Sequence, residues 1–114
     1  VFYSANDPDE YWEKLAPHAL HEQHSYAEWA EKSGIPSPYC FYANHNELRD
    51  SGKYLVQTPN DMVEMINGMH PGEPMILSPL VGGLDPQTSW ASLKSFEHDV
   101  FPNIGETTKG MFWF

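Results

Sequence analysis

The chain predicts an α/β architecture of parallel strands covered by helices, and its second half carries that expectation. Tyr54-Leu-Val-Gln-Thr58 is a short β-branched and aromatic run that ends at Thr58-Pro59. Met75-Ile-Leu-Ser78 is a second apolar run, which passes through Pro79-Leu-Val-Gly82-Gly83-Leu84 and reaches Asp85-Pro86. In both, Thr58 or Asp85 stands where a side-chain oxygen accepts from the orphan N–H groups of a new helix. The Pro that follows occupies the first helical position, where no N–H is needed. Two βα units in tandem imply a parallel sheet with its helices packed over it.

Length decides how much of such a fold is present. The 114 residues hold material for one modest domain with its own core. A complete (β/α)8 barrel needs about 200 residues or more, so barrel sequence of this length is a partial (β/α)8 TIM barrel, its C-terminal βα units. Val1-Phe2-Tyr3, apolar and without an initiator Met, reads as entry partway through a strand. The expected organisation is one segment over 1–114, with a strand end and helices in 1–34 and a connection in 35–53. Two βα units then fill 54–104, and a tail occupies 105–114.

A third helix start precedes the other two: Asp7-Pro8-Asp9-Glu10 supplies a cap, a first-turn Pro and an acid at the capping-box position. Tyr11, Trp12, Leu15, Leu20, Ala27 and Ala30 recur behind it at near-helical spacing. Pro17 removes a hydrogen bond and clashes with the preceding turn, so the expectation is a short helix to Ala16 and a second over 17–32, stopped by Gly34. From Ile35 to Gly52 the periodicity fails: Pro36 and Pro38 forbid regular pairing and Asn44-His45-Asn46 offers turn chemistry. A helical turn over 47–50 is expected there, in a connection packed through Tyr39, Phe41 and Tyr42. The helix after Thr58 carries Met62, Val63, Ile66 and Met69 on one face, and the helix after Asp85 carries Trp90, Leu93, Phe96, Val100 and Phe101. Stripes at this spacing face a core, with Trp90 and Phe96 expected to lie buried against strand 75–78. The tail ends on apolar Met111-Phe-Trp-Phe114.

Charge narrows the partners. Sixteen acidic against six basic side chains leave a formal net charge of −10, and such a surface repels polyphosphate backbones and anionic membranes. The lone Cys40 rules out an internal disulfide. No run approaches the roughly 18 apolar residues of a membrane helix, and no signal or transit segment is visible, so a cytoplasmic protein is expected.

Four constellations invite chemistry. His18, His21 and His24 form an H-x-x-H-x-x-H run. At about 100° per residue, three-residue steps spread the outer two about 120° apart, and a straight helix cannot offer all three to one ion. Glu22 follows His21, but Ser25 stands where a zinc-protease helix has its second His. The expectation is no metal, with hydrogen-bonding roles and a partly buried, structural His21. Cys40, between Tyr39 and Phe41, is expected as a buried structural thiol. The carboxylates of 7–13, with Glu28 and Glu31, read as a solvated face from which nothing selects an acid/base pair. The loop Pro79 to Asp85 lies where a strand hands over to its helix, the place where α/β barrels gather ligands. Gly82 and Gly83 either let ligand approach the backbone closely or only permit a tight turn, and Asp85 disfavours an anion there.

The order and spacing of these residues resemble the bacterial luciferase-like flavin-dependent oxidoreductases, over their C-terminal third. The landmarks are Asp7-Pro8 and Trp12, then Ala16-Pro-His-Ala-Leu-His21 with Tyr26 and Trp29, then Leu48-Arg49, Ser51-Gly-Lys-Tyr54 and Val56-Gln-Thr-Pro59. Ser78-Pro-Leu-Val-Gly-Gly-Leu-Asp-Pro86, Trp90, Ser92-Leu93, Phe96 and Val100-Phe-Pro102 complete them. The resemblance implies a (β/α)8 barrel with 54–58 as seventh and 75–78 as eighth strand, usually a dimer. It also implies FMN or a deazaflavin as cofactor and a small organic substrate. Cofactor contacts are then expected from Ser78, Pro79, Gly82, Gly83 and Thr58. Gln57 departs from the small or aliphatic residue usual before the Thr-Pro pair. Catalytic residues are unknown and expected from earlier strands, so the segment alone is expected to be inactive. The alternative is a non-catalytic oligomerisation or partner-binding module.

Overall fold

All three Pro-led helix starts form as their cap chemistry requires. Asp7 accepts from the Glu10 N–H at 3.1 Å, Thr58 from Asp61 at 3.2 Å and Asp85 from Thr88 at 3.0 Å, each with Pro in the first turn. The computed structural model describes residues 1–69, 75–78, 81–105 and 112–113, the last without the Trp113 side chain. Its elements run β1 (Phe2–Ser4), α1 (Pro8–Ser33), α2 (His45–Asp50), β2 (Leu55–Gln57), α3 (Pro59–Asn67), β3 (Met75–Ile76) and α4 (Pro86–Ser95). A π-helical turn (Phe96–Val100), a 3-10 turn (Phe101–Asn103) and β4 (Phe112–Trp113) complete the order. The chain is thus mixed α/β with parallel strand pairs.

Helix α1 corrects the expected break at Pro17, because it runs through that residue as one helix and stops at Gly34, whose φ of 69° supplies the left-handed cap. Pro17 and Glu13, whose carbonyl the ring deprives of a partner, both lie on the exposed side, where water can solvate that carbonyl. Leu15, Ala16 and Ala19 bury into one core on either side of Pro17, and that continuous apolar surface outweighs the lost bond. The 26 residues of α1 span about 39 Å, most of the molecule's 44 Å long axis.

The run at the start of the chain is a strand, as expected, and it pairs parallel with β2 in the register Phe2 with Leu55, Tyr3 with Val56 and Ser4 with Gln57. β3 pairs parallel with β4, Met75 with Phe112 and Ile76 with Trp113. The two βα units of the second half therefore place their strands in separate two-stranded sheets. What ties the segment after β3 to β1 is a side chain: the Tyr3 hydroxyl donates to the Ser78 carbonyl at 2.8 Å.

Strand alternation at β1 separates two cores. Tyr3 packs with Tyr11, Trp12 and Leu15 of α1, with Leu48 of α2, and with Tyr54, Val81 and Leu84. Phe2 borders the other core, formed by Met62 and Ile66 of α3, Met75 and Leu77, and Phe96, Val100 and Ile104. Ser4 joins β1 to α4, its N–H donating to Ser92 Oγ at 3.1 Å and its Oγ lying 2.8 Å from Ser95 Oγ. Helices thus cover both faces of the β1 and β2 pair.

The stripe on the last helix needs one correction. Phe96 is 4 % exposed and Val100 fully buried, but Trp90 is 55 % exposed. Ser89 and Ser92 take the inward positions of α4 beside β1, because close approach of the helix to Ser4 admits small side chains and turns Trp90 outward. The connection differs from its reading in two respects: α2 already starts at His45, opened by Asn44, which accepts from the Glu47 N–H at 2.9 Å, and Phe41 is exposed while Tyr42 packs against the core.

Candidate functional site

Parallel strands point their C-terminal ends to one side, and there β1 and β2 open onto a cleft of about 440 Å³. Asn6 follows β1, and Thr58, Pro59 and Asn60 follow β2 into α3. The opposite wall is His98, Asp99 and Asn103, carried by the π-helical turn and the 3-10 turn after it. The wider π turn is a form that recurs at functional sites. Asn103 donates its amide to the Asp99 carbonyl at 2.9 Å. The Thr58 oxygen is engaged as the α3 cap. The amide oxygen of Gln57, the last residue of β2, is buried without a hydrogen-bond partner among the described residues.

Of the five expected cofactor residues, Thr58, Ser78, Gly82 and Gly83 are described, and Thr58 is the one of these four that lines this cleft. Ser78 lines a different one together with Tyr54 and Val81. Pro79 lies outside the described residues. Gly82 and Gly83 have φ of 51° and 84°, so the loop makes the tight turn their sequence permits. A Cβ on Gly82 would overlap the His18 backbone carbonyl, whereas one on Gly83 would meet open space. The side chain missing at Gly82 therefore makes room for α1.

The histidine run has protein partners. His18 Nδ1–H donates to the Gly82 carbonyl at 3.1 Å. His24 Nε2 lies 3.0 Å from the Tyr42 carbonyl, which can only accept, and 3.1 Å from the Tyr42 nitrogen, whose N–H can only donate, so the tautomer of the ring selects which of the two bonds it makes. His21 is exposed, which corrects its expected partial burial; its neighbours Leu20 and Gln23 face inward instead. Among the described residues no group of three or more His, Cys, Asp or Glu is arranged to hold a metal ion. Among them, too, no helix is long and apolar enough to cross a membrane. Cys40 is exposed, correcting the buried thiol, because the two prolines before it hold the connection on the surface; the Lys53 ammonium lies 4.0 Å from its sulfur.

A second cleft, of about 500 Å³, contains a polar cluster that the sequence reading passed over. The Cys40 N–H donates to Gln23 Oε1 at 3.2 Å, Gln23 Nε2 donates to the Tyr54 oxygen at 3.0 Å, and the Tyr54 hydroxyl donates to Glu22 Oε2 at 2.5 Å. Burial pushes the Tyr54 phenol well above its ordinary range; the Gln23 hydrogen bond works against that rise and the Glu22 contact adds to it. A signal for this cluster exists in the sequence. Ala19, Gln23 and Ala27 follow one another at four-residue steps on the buried stripe of α1, and a polar residue on such a stripe needs a partner.

Comparison of the chain with protein-family models, curated proteins and solved structures finds no match.

Proposed function

We propose that this chain is the C-terminal segment of a flavin- or deazaflavin-dependent oxidoreductase of the bacterial luciferase-like type, acting on a small organic substrate. The observation that carries the reading is Thr58. It follows a parallel strand, caps the next helix and lines a cleft with Asn6, which follows the neighbouring parallel strand, the position at which α/β folds collect ligands. A volume of about 440 Å³ lies in the range of small-molecule sites.

The described residues do not by themselves form a flavin cradle, since Thr58 and Ser78 line separate clefts and α1 fills the space beside Gly82. In this proposal the remaining contacts come from earlier strands of a (β/α)8 barrel, β1 and β2 are neighbouring strands of its wall, and the segment alone is inactive. Titrating FMN against the 114-residue chain and against the whole protein that contains it tests the reading. Flavin should bind the whole protein and not the chain, and Thr58→Val in the whole protein should weaken it. A natural protein with an intact mass near the 13.0 kDa of this chain would overturn the proposal.

A second reading, a non-catalytic module for self-association or partner binding, is favoured by one surface. Tyr26 stacks on Tyr39 at 4.6 Å between ring centroids and meets Trp29 edge-on at 5.2 Å. Trp29 is 62 % exposed, with Ile35 and Phe41 exposed nearby in sequence. Sedimentation velocity separates the readings: a monomer at all concentrations argues against self-association.

A further inference from the structure

We propose that the cleft floored by Tyr54 binds an organic ammonium ion, a protonated amine on an apolar body, with the Glu22 carboxylate as its counter-charge. This goes beyond the flavin reading, because it concerns the other cleft and residues with no part in the strand-end site. A backbone N–H can only donate, so the bond from Cys40 fixes the Gln23 amide with its oxygen toward Cys40 and its NH2 toward Tyr54. The Tyr54 oxygen thereby accepts, and its own proton is directed at Glu22. Glu22 is held in place as an acceptor by a phenol that brings no compensating charge. The ion pairs of the described residues join Lys14 to Glu10, Lys32 to Glu28 and Arg49 to Asp9, and none reaches Glu22.

The rest of the lining suits the body of such a ligand. Tyr39, Ile76 and Val81 offer aromatic and aliphatic surface beside Tyr54, and phenol rings attract a desolvated cation through their faces. Two cations oppose it in the same lining, Lys53 and the Val1 ammonium, which donates to the Lys53 carbonyl at 3.0 Å. The Lys53 ammonium donates to the Pro38 carbonyl and lies 5.5 Å from the centre of the Tyr42 ring, so both cations have partners of their own while still reducing the attraction of the cleft for a cation. The net charge of −10 favours approach of cations over anions.

The test compares phenethylammonium with 2-phenylethanol, its neutral counterpart on the same skeleton, by NMR titration of the 114-residue chain at pH 7. The ammonium should bind at least tenfold more tightly, with shift changes centred on Glu22, Tyr39, Tyr54 and Val81. Glu22→Gln should remove that preference, and Lys53→Gln should strengthen ammonium binding several-fold. Equal binding of the two probes, ammonium binding unchanged in a folded Glu22→Gln variant, or shift changes centred on Trp29 would each overturn the proposal. Should Glu22→Gln fail to fold, the two-probe comparison and Lys53→Gln decide it.

Discussion

His18 and Gly82, 64 residues apart, hold each other at two points: the imidazole Nδ1–H donates to the Gly82 carbonyl at 3.1 Å, and the His18 carbonyl occupies the space where a Gly82 side chain would begin. The contact docks the glycine turn on α1. Gly82→Ala should therefore cost about 1–2 kcal/mol for the left-handed backbone and about 1–3 kcal/mol more for overlap with the helix. Gly83→Ala, which meets open space, should carry the backbone cost alone. Urea unfolding of both variants checks the order, and equal losses would remove the docking contact from the account.

Phe96 and Trp90 should differ widely in their response to truncation. Phe96 lies among Ile66, Met75 and Phe112 in the core behind β1, with the Phe112 ring 4.8 Å away edge-on. Phe96→Ala should cost about 3–5 kcal/mol, while exposed Trp90→Ala should stay within about 0.5 kcal/mol. Denaturant midpoints compared at constant slope measure both.

The histidines should divide according to their partners. His24→Ala leaves the Tyr42 backbone groups without their ring partner and should destabilise by about 1–2 kcal/mol. His21→Ala, on the exposed side of α1, should have little effect. A larger loss at His21 than at His24 would contradict the observed orientation of α1.

Stability should fall in strong base. Tyr3, Tyr11 and Tyr54 all have phenols pushed up chiefly by burial, Tyr3 also by its neighbours Tyr11, Tyr54 and Glu22. A group whose folded pKa is raised contributes its full stabilisation below the unfolded value, about 10 for tyrosine. That contribution is lost as pH rises from there, because the unfolded chain releases the proton first. Each such tyrosine adds a slope of up to about 1.4 kcal/mol per pH unit. Unfolding measured between pH 8 and 11, with tyrosinate absorbance alongside, should show the decline begin near pH 10. Tyr3→Phe and Tyr54→Phe should each make it shallower, and a decline of unchanged steepness in both would refute the assignment.

What the sequence by itself determined is whatever closes within a few residues. Asp7-Pro8, Thr58-Pro59 and Asp85-Pro86 start helices because each cap bond spans three positions, and Gly34 ends one because left-handed backbone is a local property. The stripe of Met62, Ile66, Phe96 and Val100 was legible in the same way, through helical period. Only the tertiary structure decided the rest. Pro17 stays inside α1 because the core beneath it is continuous, and Trp90 turns outward because β1 approaches Ser92 and Ser95 too closely for a large side chain. Thr58 and Ser78 part company because β2 pairs with β1 and β3 with β4, and pairing between strands is set by contacts that no local pattern contains. The cluster of Glu22, Gln23 and Tyr54 joins positions 31 and 32 residues apart. Gln23 on the buried stripe announced that a partner was needed, and only the packing of α1 against the end of the connection named it.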